Sequence, residues 1–400
     1  MRVLLNATDG PLSVRAIRRY VTEMITGLGA EDSGIELHLA LFSHRLDLVR
    51  KYLRAIPPGT QYKLHLFPAP RRMLSQRYRR SRIELRRLAR KVDLYHETTV
   101  DSPQFDDLPV VATLHGLCPL VTPHLLNPDF VEEMTLAYQR TVSKSEYFVP
   151  VSETSRREFL ERFPVAPESV RAIPLGISSV FHPREPKEVA ETLNDLKIDR
   201  EYVLYVGGIQ RNKNIPRVLQ TFSHLVHQAG FEGQLVLAGD LHYSIAEWGS
   251  LLDQHRIADR VVRAGFLDPN SPILAQLYSG AALFLFPSYY EGWTSPPLEA
   301  MACGVPVLAS DSSSIPETVG DAAVLHHPDD EEAWCVSAEK LIFDTAFAET
   351  MKCAGFQRAA QFPWKKTVES TIEFYRQIVG GKPNQDEDLV ASSAALSSTS

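Results

Sequence analysis

The chain has 400 residues, 44% hydrophobic and 23% charged, with a net charge of -7; this is a globular profile long enough for two domains, and its acidity argues against general nucleic-acid affinity. Cys118, Cys303, Cys335 and Cys353 are scattered without metal-ligand spacing, which fits a reducing compartment better than a disulfide framework. No apolar run approaches ~20 residues, so no membrane span is expected, and the opening Met1 to Leu5 runs straight into Asn6 and Asp9, so no secretory leader is expected either.

Residues 3–5 form a short apolar run that ends at Asn6, Thr8, Asp9 and Gly10, and 14–28 carries a helical pattern. Strands are predicted at 35–42 and 62–67. Strands alternating with helices predict a parallel sheet covered on both faces, and ligands of such sheets bind beyond the carboxyl ends of the strands. Near the first of these ends, Arg15, Arg18 and Arg19 are read mostly as a solvated helix face, with charge for a bound anion as the alternative. Residues 71–91 hold ten basic residues and one acid, with Leu74, Tyr78, Leu85, Leu88 and Val92 at helical spacing. That pattern predicts an amphipathic helix docked on the first sheet, its arginines outward. A solvated charged face is the plain reading; a landing surface for anionic lipid or an anionic glycan is the functional one. Strands at 93–96 and 110–115 follow, the second ending at His115 beside Gly116, where a side chain can face substrate. A helix at 129–143 and a strand at 147–151 lead to Ser152, a good helix N-cap. Residues 178–200 are charged and proline-bearing, as an interdomain linker should be.

A strand at 202–206 runs into Gly207-Gly208-Ile209-Gln210-Arg211-Asn212-Lys213-Asn214, and a glycine pair with basic residues before a helix suits phosphate. Strands at 235–238 and 261–266, a short helix at 272–279 and a buried strand at 281–286 come next. Pro296 and Pro297 then open a helix, Gly304 caps it, and 305–309 is a strand. Glu291 falls in the loop and Glu299 in the first helical turn. Free N–H groups at a helix start suit a phosphate, and a carboxylate accepts two hydrogen bonds from a diol, so the unit fits a nucleotide. The plain alternative is that Glu299 only complements the helix dipole. A helix begins at Ile315-Pro316-Glu317, 322–325 is a last short strand, and 330–379 is helical with a break at Pro363. Residues 380–400 are polar and Ser/Ala-rich, the composition of a disordered tail.

Glu291 and Glu299, with seven residues between them inside EGWTSPPLEAMACGVPVLAS, resemble the donor-sugar motif of family 4 retaining glycosyltransferases. The resemblance implies an α/β chain of the GT-B fold, two Rossmann-like domains with a cleft between them. It implies an acceptor-side domain over 1–177, a linker over 178–200, a nucleotide-sugar domain over 201–362 and a helix over 363–379 that crosses back. Glu299 would hold the ribose hydroxyls and Glu291 would face the sugar. The amides of Gly292, Trp293, Thr294 and Ser295 would lie near the sugar and diphosphate. Lys213, after Gly208, matches the family's phosphate lysine, and Arg211 stands near its arginine but out of register. His115 corresponds to a histidine near the donor sugar or acceptor hydroxyl, and 173–177 to the last strand of the first domain. The chain departs from the family at four places. Ala16 and Arg18 replace the glycines of a Gly-Ile-Gly-Arg-Tyr run, Gly116 replaces an aspartate, and Thr294 stands for a second glycine.

The expected activity moves a hexose from a GDP- or UDP-linked sugar to a hydroxyl of a glycan or lipid-linked acceptor. The Lys-Asn loop and the Ile-Pro-Glu segment favour GDP-mannose by analogy. No apolar strand ends in Asp-x-Asp, so neither a metal nor another cofactor is expected, and Lys213, Arg211 and helix amides take the charge of the leaving nucleotide. The rival readings are a nucleotide-sugar epimerase or hydrolase and a non-catalytic nucleotide-sugar sensor. The expected location is cytoplasmic, with peripheral contact to the inner membrane face through 71–91.

Overall fold

A computed structural model describes the chain except residues 13–14, 44, 68–78, 101–102, 104, 106, 210, 269–270 and 381–400, and except the side chains of 12, 15–16 and 79–82. The first part of the basic stretch, 71–78, and the C-terminal tail therefore lie outside the described residues. Within them, twelve strands form two six-stranded sheets. The first sheet comprises β1 (Arg2–Asn6), β2 (Glu36–Phe42), β3 (Lys63–Phe67), β4 (Leu94–Glu97), β5 (Val110–Leu114) and β6 (Tyr147–Pro150), in the order β3-β2-β1-β4-β5-β6. The second comprises β7 (Tyr202–Val206), β8 (Gln234–Ala238), β9 (Val261–Gly265), β10 (Leu283–Phe286), β11 (Val307–Ser310) and β12 (Val324–His326), in the order β12-β11-β10-β7-β8-β9. Counted from its own first strand, each sheet has the same doubly wound order, and every pairing is parallel.

The strands are nearly continuous apolar runs because both faces are covered. β5 and β10, for instance, are buried along their whole length. On one face of the first sheet the helix Arg15–Leu28 buries Tyr20, Val21, Met24, Ile25 and Leu28, one stripe at helical spacing, against Val3, Leu5 and Leu37. On the other face the helix Arg79–Ala89 buries Leu85, Leu88 and Ala89 against Leu4, Ala40, Phe42 and Tyr95. Arg86, Arg87, Arg90 and Lys91 are left exposed.

Two stretches differ from the sequence reading. Residues 173–177 lie beside β6 through Arg171 N–H to Phe148 O and Ile173 N–H to Pro150 O, but do not form a strand. Pro174, with no N–H, cannot extend the ladder. The segment 178–200 contains a helix, Pro186–Asp195, that packs on the helix Pro272–Ser279, with Thr192 Oγ1 donating to Gln276 Oε1 at 2.7 Å. Polar composition hid it, since only Val189 and Thr192 are buried along it.

The chain leaves the first domain and returns to it at adjacent points, where Ile177 N–H donates to Phe362 O at 2.8 Å. The last helix, Trp364–Gly380, then packs on Arg15–Leu28. Thr367 Oγ1 donates to Pro174 O at 2.8 Å, and Tyr375 reaches the ring of His96 at the end of β4. His96 is fully buried, its second ring nitrogen 2.7 Å from Thr113 Oγ1. Burial pushes its imidazolium down to about 3. An unfolded histidine titrates near 6.5, so below that pH the unfolded chain binds the proton first. His96 therefore costs stability as pH falls below about 6.5, by up to about 1.4 kcal/mol per pH unit, until the folded group itself titrates. Denaturant titrations between pH 7 and 5 should show the wild type losing stability faster than His96→Asn; parallel profiles would mean that His96 does not titrate on unfolding.

Among the described residues no helix is long and apolar enough to cross a membrane.

Candidate functional site

The carboxyl ends of the two sheets face each other, and the loops that leave them meet. On the second-domain side, β10 leads through 287–294 into the helix Ser295–Ala302. The helix starts one residue earlier than the prolines suggested, so Glu299 stands in its second turn. Pro296 and Pro297 occupy the second and third positions and carry no N–H, so this helix start offers an anion fewer amides than an ordinary one. Charge has to come from side chains.

Lys213 supplies some of it. The turn Arg211–Lys213 follows β7, and Asn214 is left-handed (φ 52) with its Nδ2 donating to Pro328 O at 3.0 Å. Lys213 Nζ reaches Glu291 Oε1 at 2.6 Å, with 19% and 13% of the two side chains exposed. Glu291 is held on both sides of its own backbone. Its N–H donates to Ser313 Oγ at 2.8 Å and its carbonyl accepts from Ser314 Oγ at 2.9 Å. Glu299 is almost fully buried. Tyr278 donates to Oε2 at 3.2 Å, and Oε1 is paired with Arg19 of the first domain.

On the first-domain side His115 Nε2 lies 2.8 Å from Thr98 O. A carbonyl only accepts, so the neutral ring carries its proton on Nε2 and leaves a lone pair on Nδ1. Burial holds the His115 pKa below its ordinary value, against the Thr98 bond and Asp9, so the neutral form prevails near pH 7. The ring of Tyr20 meets it edge-on at 4.9 Å. Gly116 has φ +118 and its backbone abuts Gly292 of the opposite loop: a Cβ on Gly116 would stand 2.6 Å from Gly292 Cα. This accounts for the glycine at a position where the family resemblance led one to look for aspartate.

Three further contacts join the domains. Ser155 Oγ donates to Gly292 O at 3.3 Å. Tyr290 Oη donates to Glu158 Oε2 at 2.6 Å and accepts from Leu117 N–H at 3.0 Å. Glu317 takes the N–H groups of Glu153 and Thr154, at 2.7 and 2.9 Å, at the start of the helix Glu153–Arg162, while Ser152 Oγ caps Ser155 N–H at 3.0 Å.

Of the residues expected from the sequence, Lys213 and Glu291 are brought together, Glu299 follows Glu291 on the same loop–helix unit, where it meets Tyr278 and Arg19, and His115 backs onto Gly292. Arg211 is 78% exposed and pairs with Glu247 at 3.3 Å. Gly208 O accepts from Tyr205 Oη at 2.9 Å. The Trp293 ring packs on Phe362 at 5.3 Å, and Ser295 is the first residue of the helix. Trp293 Nε1 and Thr294 Oγ1 are buried and find no hydrogen-bond partner among the described residues.

Arg19 corrects the reading of a solvated arginine face. It is 7% exposed and belongs to the site, while Arg18 lies 5.7 Å from the Tyr52 ring. Glu97 went unread. It is fully buried at the end of β4 and takes both oxygens to Asn6 Nδ2, at 2.8 and 3.0 Å. An acid at the carboxyl end of a parallel strand was the available signal.

The family model described as Glycosyl transferases group 1 matches residues 200–344, and the one described as Glycosyltransferase Family 4 matches residues 17–180. O-antigen chain mannosyltransferase B of Escherichia coli is 29% identical over 267 residues, 66% of this chain and 70% of that protein. Alpha-maltose-1-phosphate synthase of Mycobacterium tuberculosis is 30% identical over 299 residues, 68% of this chain and 74% of that protein. The match to the serotype-specific mannosyltransferase WbdA of Escherichia coli, 26% identical, covers 72% of this chain and 36% of that protein. Sucrose-phosphate synthase from Thermosynechococcus elongatus superposes with a TM-score of 0.72 at 21% identity, over 96% of this chain and 100% of that one, which bears on the fold alone.

Proposed function

This chain belongs to the family 4 glycosyltransferases of the GT-B fold, and from that premise we propose that it is a metal-independent retaining hexosyltransferase, with GDP-mannose as donor and a glycan or lipid-linked hydroxyl as acceptor. The observation that carries the reading is the pairing of Lys213 with Glu291, on the loop that leads into the helix of Glu299 and whose Gly292 abuts the backbone of His115. Glu299 takes the ribose diol, Lys213 takes charge from the leaving diphosphate, and Glu291 faces the sugar. His115 Nδ1 accepts a hydrogen bond from a sugar or acceptor hydroxyl. Asn6, Glu97 and His115, at the carboxyl ends of β1, β4 and β5, are the acceptor-side polar groups. Mannosyltransferase relatives support mannose over other hexoses.

The test is a thermal-shift screen of GDP-, UDP- and ADP-linked sugars, since a bound donor raises stability by mass action. Nucleotide release is then measured with and without acceptor glycans, in EDTA. GDP-mannose should stabilise the protein and release GDP only with acceptor. Conversion of the sugar without acceptor would replace the reading by an epimerase, binding without turnover by a sensor, and activity restored by magnesium would overturn metal independence.

We further propose a cytoplasmic location with peripheral membrane contact. Arg86 and Arg87 on the helix Arg79–Ala89, and Arg90 and Lys91 just past its end, are exposed, while the apolar stripe of the helix is already spent on the core. Basic residues at an anionic membrane contribute about 1 kcal/mol each, screened by salt. Co-sedimentation should occur with anionic vesicles at low salt and fall at high salt; equal binding to neutral vesicles, or none to anionic ones, would leave these residues as surface charge.

A further inference from the structure

Four buried polar groups form a chain from the last helix to the cleft. Tyr375, on the helix Trp364–Gly380, bonds His96 Nδ1. His96 stands on β4, with its Nε2 2.7 Å from Thr113 Oγ1 on β5. Thr113 Oγ1 in turn lies 2.8 Å from Tyr20 Oη, on the helix Arg15–Leu28. None of the four residues is more than 2% exposed. The Tyr20 ring then meets the His115 ring edge-on, at 80° and 4.9 Å.

Stability alone does not call for such a chain, because apolar groups of the same shape would hold the core about as well. What hydrogen bonds add is orientation. Among the described residues, the one hydrogen bond of the His115 ring runs from Nε2–H to Thr98 O, at 2.8 Å. A ring held at one atom turns unless a neighbour blocks it, and Tyr20 is that neighbour. Its hydroxyl is tied to Thr113, two residues before His115 in the sequence.

The far end of the chain matters because burial keeps His96 neutral. A neutral imidazole donates at one nitrogen and accepts at the other. Tyr375 and Thr113 together therefore hold one tautomer and one ring orientation. Without the Tyr375 hydroxyl the His96 ring can exchange both, and the bonds from Thr113 to Tyr20 lose a fixed partner. Tyr375 belongs to the helix that begins where the chain returns from the second domain, next to the bond from Ile177 N–H to Phe362 O. Trp364, the first residue of that helix, lies 6.3 Å from the Tyr20 ring. Tyr20 thus takes its place from the element that joins the two domains.

We propose that Tyr375, His96, Thr113 and Tyr20 are positioning residues. They hold His115 in the one ring orientation that bonds Nε2 to Thr98 and leaves Nδ1 to a substrate hydroxyl, and they make that orientation depend on the seating of the last helix. The inference rests on the reading of His115 as a residue that faces the sugar or the acceptor.

Nitrogen NMR of histidine-labelled protein reads the ring directly, with the His115 signals assigned by His115→Asn. Wild type should give one set, with Nε2 protonated and Nδ1 bare. Tyr375→Phe and Thr113→Val should broaden or double that set, and Thr113→Ser, which keeps the hydroxyl, should restore it. The first two variants cut the chain at different links, so either one that folds is sufficient. Thr367→Val is the control, because it frees the same helix from Pro174 O and leaves the chain intact. GDP release from GDP-mannose with acceptor should follow the signals. In Tyr375→Phe and Thr113→Val kcat should fall about tenfold at unchanged donor KM, and in Thr113→Ser and Thr367→Val it should stay near wild type. Wild-type His115 signals in the folded Tyr375→Phe and Thr113→Val proteins would overturn the proposal and leave the chain as core packing. Equal losses in Thr367→Val would overturn it as well, since helix docking would then be the cause. No turnover by wild type would sink the proposed function, while the nitrogen signals would still decide the link from Tyr375 to His115. Full turnover in His115→Asn would remove the role of His115 and this inference with it.

Discussion

Replacing Lys213 with alanine should lower kcat by about 100-fold or more, with a smaller change in donor KM. Two effects act in the same direction. The variant loses a cation where negative charge grows as the sugar–phosphate bond breaks. It also leaves Glu291, 13% exposed, without the ammonium that lies 2.6 Å away in the native protein. An unpaired carboxylate beside a departing diphosphate raises the barrier further. Glu299→Ala should behave differently. Ribose contacts are nearly the same in ground and transition states, so the main effect falls on donor KM. Steady-state kinetics on both variants separate the two roles. A Lys213→Ala enzyme with normal kcat and a raised KM would make Lys213 a binding residue, and the leaving group would need another cation.

What the sequence could reveal was set by distance along the chain. The strands were legible because parallel strands buried on both faces are unbroken apolar runs, and the alternation with helices pointed to doubly wound sheets. The grouping of Glu291, Glu299 and Lys213 near one strand end was legible for a similar reason. Glu291 and Glu299 lie within one loop–helix unit, and Lys213 follows its own strand in a recognisable loop. The contacts across the cleft were not legible. Arg19 and Glu299 are 280 residues apart, and Glu153 and Glu317 are 164 apart. Periodicity says which side of a helix is buried against its own sheet. It carries no information about which residue at the rim meets another domain, so Arg19 read as surface charge. The helix Pro186–Asp195 was hidden for a related reason, because a short helix that buries two residues leaves no apolar stripe to read.

The glycines carry the same lesson and the second large effect. Gly116 and Gly292 each read as a local feature of its own loop, one a departure from the family pattern and the other part of the donor motif. In the folded chain each is the reason for the other. A Cβ on Gly292 would stand 2.1 Å from the carbonyl oxygen of His115 and 2.5 Å from Gly116 Cα. A methyl carbon needs roughly 3.3 Å from an oxygen, so Gly292→Ala should force the two loops apart by about 1 Å. Backbone fills that space on both sides, and no flexible side chain can yield instead. The contact lies between loops beyond the carboxyl ends of the strands, outside both sheets, so melting temperature should change little. Turnover should not survive so well. His115 comes from one domain and Lys213 and Glu291 from the other, and a displacement of this size costs about 100-fold in rate when reacting groups must be held in line. Gly249→Ala is the matched control, since a Cβ there meets nothing within 4 Å. It lies in the helix Ile245–His255, where the change should stabilise by roughly 0.5–1 kcal/mol and leave kcat alone. Donor affinity separates closure from simple damage, because a donor held mainly by the second domain should still bind Gly292→Ala. If Gly292→Ala kept full kcat, the close approach of Gly116 and Gly292 would not belong to the reactive arrangement, and the acceptor-side groups would have to work across a wider gap.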